Sequence, residues 1–393
     1  MQTLFAQRSL HESIKEFYGF FSEHIEDMAR EKTAKLVEEA LEAEVDMMVG
    51  AERYERSDKR QDYRNGHYVR QLISHHGLLK IRVPRVREGK VTFRALTRYR
   101  RYSGEVAELV RGMFFAGVST RKMGPVLHYL LGTRISPQLV SRITQQFDRE
   151  VKLFHTRPLG DDYRYVFLDG IVQSEQVVGG TMRGPLLVAY GIRYDGRREV
   201  IGYMKAKAES EAAWEAFLDD LYKRGLTGDR LKLIIADGAG GLWKALERIY
   251  PRVPRQLCWA HKIRNVQEKL PKKAWDTCLS EAKEIYQQPT RKKATERYFR
   301  WTRKWRRKYP KAVKCLAKDI DTLLVHYSFP VKHRVTIRTS NPIERLFVEV
   351  RRRTRTIGSF TNTKSLDRIA YGIFWIINRM WEDTCLADFT QNS

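Results

Sequence analysis

The sequence predicts an α/β fold, with a strand-containing core interrupted by a long helical stretch and preceded by a helical and small-β region. Three observations carry that expectation. Apolar runs of strand length recur between residues 164 and 257 and give way to helix–strand alternation after the third run. Two of these runs, Tyr165-Val-Phe-Leu-Asp169-Gly170 and Leu231-Lys-Leu-Ile-Ile-Ala-Asp237-Gly238, end in the same Asp-Gly pair. From Lys262 to Lys318 the periodicity is helical and the charge strongly basic, with nineteen Lys/Arg against five Asp/Glu.

At 393 residues the chain is long enough for two or three domains, each with its own core. A formal net charge of +26 attracts polyanions, meaning nucleic acid or an anionic surface. The longest apolar stretch, Ile369 to Ile377, is too short to span a bilayer, and the first residues lack the pattern of a signal peptide. A cytoplasmic, nucleoid-associated protein with double-stranded DNA as partner and no membrane is therefore expected. Cys258, Cys278, Cys315 and Cys385 are too scattered for a disulfide scaffold, so reduced thiols are expected.

Taken in order, residues 1–50 form an acidic helical segment, with five Lys/Arg against eleven Asp/Glu. Its stripes are Ile14, Phe17, Tyr18, Phe21, Ile25 and Met28, then Leu36, Val37, Ala40, Leu41, Val45 and Met48, with Gly50 as the stop. Acidity suits packing or self-association better than contact with phosphates. Residues 51–100 reverse the sign, with fourteen Lys/Arg against five Asp/Glu, and become β-like. Asn65-Gly66 and His76-Gly77 predict turns, 78–83 a strand and 84–89 a loop. Arg64, Arg85 and Arg87, interleaved with tyrosines, suit a surface that follows a phosphate backbone, although a solvated basic face has the same composition.

Residues 101–150 predict three helices, 104–115, 119–131 and 136–147, with Ser119 and Ser136 as N-caps and Gly117 and Gly132 as breaks. The last two have the proportions of a helix-turn-helix whose second helix would offer Gln138, Ser141, Arg142 and Gln145 to a major groove. A linker, 155–162, precedes strands at 164–172, 185–194 and 199–205, the last two joined by Tyr194-Asp-Gly196. Then come a helix from 209 to 223, the strand ending at Asp237, a helix from 240 to 250, a strand from 253 to 257 and a helix beginning near Trp259. Three antiparallel strands followed by alternating helix and parallel strand resemble a ribonuclease H-like domain, with 164–172 expected as its first, edge-defining strand. Helices at 341–353 and 366–381 close the chain. The expected divisions are 1–50, 51–100, 101–150, 163–270 for the first part of the catalytic domain, 271–335 for a basic all-α insertion, and 336–393 for its C-terminal part.

Asp169, Asp237 and Glu344 are the candidate metal ligands. Two aspartates and a glutamate match the oxygen preference of Mg2+, for which Mn2+ substitutes, and two such ions would serve phosphoryl transfer on DNA. Each acid also has a structural explanation. Asp-Gly after a strand is commonly a turn. With Asn341 as N-cap and Pro342 at the first helical position, Glu344 stands where a capping box places its acid. Arg351, seven residues on, returns to the same helical face. Cys258-Trp-Ala-His261 is too sparse for zinc, and His261 is the better candidate for orienting a phosphate or nucleophile.

The chain resembles the Mutator-type transposases of bacterial insertion sequences over roughly residues 30–380. The resemblance lies in Tyr63-Arg-Asn-Gly66, Val83-Pro-Arg-Val-Arg-Glu-Gly89, Gly117-Val-Ser-Thr-Arg121, Phe167-Leu-Asp169-Gly170, Ala236-Asp237-Gly238, Cys258-Trp-Ala-His261 and Ser340-Asn-Pro-Ile-Glu344-Arg345. It implies a DDE triad at Asp169, Asp237 and Glu344, a Cys-x-x-His signature at Cys258 and His261, and a basic residue at Arg351. It also implies binding of terminal inverted repeats through residues 51–150, strand cleavage followed by strand transfer, and a homodimer or larger assembly that holds two ends. A nuclease or resolvase of the same fold, or a DNA-binding regulator, would share the basic surface.

Overall fold

The computed structural model describes residues 2–89, 91–98, 101–177, 180–355, 357, 360 and 362–390, with the side chains of 2–23, 97, 98, 177 and 390 left aside. The chain divides into two compact units, one of residues 1–114 and 118–145, the other of 115–117 and 146–393.

In the first unit, α1 (Gln2–Val49) is followed by the antiparallel pair β1 (Arg64–Ser74) and β2 (Gly77–Val86), then by α2 (Arg94–Arg98), α3 (Gly104–Phe115), α4 (Thr120–Leu131) and α5 (Pro137–Gln145). The acidic helix has a packing role: Leu41, Val45 and Val49 bury against Leu72, Leu79, Ile81 and Val83 of the hairpin. The stripe differs in detail from the expected one, since Val49 is buried while Leu36 and Met48 are exposed. Ile25 and Met28 are exposed too, and Ile14, Phe17, Tyr18 and Phe21 lie outside the described side chains. Asn65-Gly66 makes no turn. Gly66, at φ 69°, sits where the register slips between Arg64 and His67, so the positive φ accommodates a bulge inside β1. The turn falls at His75-His76, as Ser74 pairs with Gly77.

In the second unit, the apolar runs form one mixed sheet in the order β5-β4-β3-β6-β7, from β3 (Tyr163–Val177), β4 (Gly180–Arg193), β5 (Arg198–Lys205), β6 (Leu233–Ala236) and β7 (Arg255–Leu257). β3 is therefore central, not at an edge: β4 pairs with it antiparallel and β6 parallel. Both β3 and β4 outrun their expected bounds, because polar residues 173–176 continue the ladder where hydrophobic periodicity has stopped. The expected linker is shorter as well. α6 (Asp148–Thr156) occupies its beginning and buries Val151 and Phe154.

Alternation along β3 sends Val166 and Leu168 to one face, where α7 (Glu211–Lys223) and α8 (Gly240–Ile249) cover them through Trp214, Phe217, Leu242 and Leu246. The other face carries Tyr165, Phe167 and Asp169. After α9 (Trp259–Gln267), the chain stays helical through α10 (Ser280–Tyr286), α11 (Arg291–Trp305), α12 (Pro310–Ala317), α13 (Ile320–Leu323) and α14 (Val331–Ile337). This stretch has its own core of Trp301, Trp305, Tyr298 and Leu316, so most of its aromatic rings are interior, while Phe299 is exposed. Buried Gln256 ties it to β7: its amide donates to the Leu323 carbonyl at 2.9 Å and accepts from His326 N at 2.7 Å. Last come α15 (Asn341–Thr354), α16 (Thr363–Trp381) and α17 (Ala387–Thr390). Asn378 of α16 accepts from Val200 N at 2.7 Å and donates to Val200 O at 3.1 Å, satisfying backbone groups of the edge strand β5.

Candidate active site

Parallel pairing of β3 with β6 sets Leu168 opposite Ala236, so the next residue on each strand, Asp169 and Asp237, stands at the same level of the sheet. Sixty-eight positions of sequence collapse to neighbouring strands. Asp169 is buried and Asp237 half-buried. The Asp169 carboxylate accepts from Gly170 N at 2.8 Å, and that of Asp237 from Ala239 N at 3.1 Å. Burial first, and the charge of Asp237 second, push the Asp169 carboxyl up to about 7.

Asp169, Glu344 and Arg351 line one open cleft of about 470 Å³ together with His261, Arg264, Arg345 and Asn341. α15 supplies Glu344 and Arg351 from one face, and α9 supplies His261 and Arg264. The Glu344 carboxylate takes an ion pair from Arg264 at 3.2 Å, faces His261 Nε2 at 3.7 Å and accepts from Ser340 Oγ at 3.3 Å. The capping box does not form. Ser340, not Asn341, is the N-cap of α15, which moves Glu344 one position too far along, and the Ser340 backbone N–H donates to Cys258 Sγ at 3.2 Å instead.

Cys258 and His261 act on each other across one turn of α9. Burial opposes ionisation of the Cys258 thiol, but hydrogen bonds from His261 and Ser340 outweigh it and hold the thiol below its usual range. The same bond with Cys258 is the main reason that His261 is raised to about 9, with Asp169 and Asp237 contributing. His261 is thus a cation at neutral pH inside a ring of acids. Among the described residues, no three His, Cys, Asp or Glu are already gathered in the geometry of a metal site. Ser340, Arg264 and Glu209 are parts of this neighbourhood that the sequence did not single out. Burial and the charge of Asp237 raise the carboxyl of Glu209, and Trp214 Nε1 donates to it at 3.3 Å. No motif marks them, since their partners are fixed only by packing.

The candidate DNA contacts lie in the first unit, Arg351 apart. Gln138 and Arg142 are exposed on α5, opposite buried Val140 and Ile143. Arg85 and Arg87 are exposed and lie 4.7 and 5.8 Å from the ring centroids of Tyr68 and Tyr63. Arg64 is engaged internally, paired with Asp46 and donating to the Ala51 carbonyl at 2.9 Å.

A family model described as "Transposase, Mutator family" matches residues 7–384. Among curated proteins, the transposase for insertion sequence element ISRM5 of Rhizobium meliloti (strain 1021) is 33% identical over 355 residues, which are 90% of this chain and 89% of that protein. The transposase for IS406 of Burkholderia multivorans is 33% identical over 367 residues, 93% of this chain and 94% of the relative. The transposase for IS256 in transposon Tn4001 of Staphylococcus aureus is 29% identical over 359 residues, 91% of each.

Proposed function

This chain belongs to the Mutator family of transposases, and on that premise we propose that it binds the terminal inverted repeats of its insertion sequence and cuts and rejoins DNA by DDE phosphoryl transfer. The observation that carries the proposal is the side-by-side placement of Asp169 and Asp237, with Glu344, His261, Arg264 and Arg351 around the adjoining cleft. Three antiparallel strands followed by two parallel ones support a ribonuclease H-like core. The exposed face of α5 supports a helix-turn-helix that reads the repeats, with Arg85 and Arg87 as backbone contacts.

Mg2+ or Mn2+ fits the donors present. The two aspartates offer hard oxygen ligands, the only nearby thiol is bonded to Ser340 and His261, and the charge on buried Asp169 is costly until a cation balances it. When bound, two such ions would supply Lewis acidity at the attacking and leaving oxygens. Asp169 and Asp237 would hold them, and Glu344 would join on leaving Arg264. The remaining roles belong to the cations of the chain. His261 donates from Nε2 to a phosphate oxygen, and Arg264 and Arg351 neutralise the backbone beside the cut. Water displaces one 3′-oxygen in the first step, and the freed 3′-hydroxyl attacks a second phosphodiester in the next. Because two ends must be held together, a homodimer or larger assembly is part of the proposal.

Incubation of the protein with repeat-ended DNA, target DNA and Mg2+ tests it. Joined product is expected for wild type and a loss of more than about 100-fold for Asp237→Ala, beyond the cost of losing an outer-sphere partner. Cleavage without joining would make the protein a nuclease, and no metal-dependent product would make it a DNA-binding regulator.

A further inference from the structure

We infer that Glu209 is a fourth acid of the reaction centre and supplies a carboxylate oxygen to the divalent cation beside Asp237. This rests on the phosphoryl-transfer proposal above and adds a residue outside the triad.

Glu209 lies in the turn between β5 and α7. That turn is pinned at Ser210, which caps α7 by accepting from Ala213 N at 3.2 Å. It also runs against the loop that follows Asp237: a Cβ added to Gly241 would lie 2.7 Å from Glu211 N and 3.0 Å from the Ser210 carbonyl carbon, so the two backbones meet where only glycine fits. From there the Glu209 side chain reaches over Gly170, the residue beside Asp169. Its carboxylate oxygens stand 3.6 and 3.7 Å from where a Cβ on Gly170 would be. Trp214, fully buried, holds Oε1 through its indole N–H at 3.3 Å.

The partners of Glu209 set it apart from its neighbours. Glu211 pairs with Lys244 and Glu215 with Arg248, and Glu344 is claimed by Arg264, but no Lys or Arg among the described residues pairs with Glu209. A carboxylate steered by a neutral indole toward another carboxylate costs stability by itself. A divalent cation shared with Asp237 converts that repulsion into ligation.

Calorimetric titration of the full chain with Mn2+, without DNA, tests the assignment. Glu209→Gln keeps an acceptor for Trp214 and removes only the charge. It is expected to weaken Mn2+ binding about 10-fold or more, the scale of a lost supporting ligand, and to leave the melting temperature in EDTA unchanged or higher. Glu209→Asp should recover part of the affinity. Wild-type Mn2+ affinity in Glu209→Gln, with binding weakened in Asp169→Asn and Asp237→Asn, would overturn the role of Glu209 alone. Wild-type affinity in all three would overturn the phosphoryl-transfer proposal itself.

Discussion

With its carboxyl pushed up to about 7 by burial and by Asp237, Asp169 holds a proton in the folded chain that the unfolded chain releases near pH 4. Stability therefore falls as pH rises from about 4 through 7, because over that window the native state binds more protons than the unfolded one. Asp169→Asn removes the titrating group. It is expected to stabilise the metal-free protein by about 2–4 kcal/mol at pH 8 and to change little at pH 4. Urea unfolding in EDTA at the two pH values measures this, and equal effects at both would mean that the carboxyl is not strained. His261 runs in the same direction over a later window. Raised to about 9, its contribution is fully present below pH 6.5 and is lost as pH rises through 9. At neutral pH it can thus donate to a phosphate while the acids around it are still being charged.

Among the elements, α5 and α15 show how burial on one side frees the other. Val140, Ile143 and Thr144 hold α5 in the first unit, which leaves Gln138 and Arg142 outward at i and i+4. If α5 reads the repeats, Arg142→Ala should weaken repeat binding by about 1–3 kcal/mol and relax sequence preference, whereas loss of a phosphate contact alone would weaken all sequences alike. Competition gel shifts with repeat and scrambled duplexes distinguish the two. On α15, Ile343, Leu346, Phe347 and Val350 are buried, and Glu344 and Arg351 therefore emerge together on the cleft side, a pairing that the seven-residue spacing already required.

Over the whole molecule, +26 of formal charge is concentrated outside the acidic first helix, with the densest run in the stretch from 262 to 318. No helix among the described residues is long and apolar enough to cross a membrane. A polyanionic partner is bound through counterion release, so repeat affinity should fall about 10³–10⁵-fold between 50 and 200 mM salt if six to ten phosphates are contacted. Fluorescence anisotropy across that range checks it, and a flat response would contradict a role for the basic surface in DNA binding.

Sequence alone was sufficient for what depends on local pattern. Strand and helix periods marked the α/β character, and Asp-Gly at the ends of two apolar runs marked Asp169 and Asp237. The spacing of Glu344 and Arg351 placed them on one helical face. Other features depend on partners far apart in the chain, and only the tertiary structure decided them. β3 became central because β6, sixty-eight positions later, pairs with it in parallel. The cap of α15 moved to Ser340 because Cys258, eighty-two positions earlier, takes its N–H. Arg264 found Glu344 across eighty positions, and Glu209 came over Gly170 because two glycine-tight loops meet. Hydrogen bonds and charge pairs of this kind have no sequence period, since their geometry exists only once the sheet and its covering helices are packed.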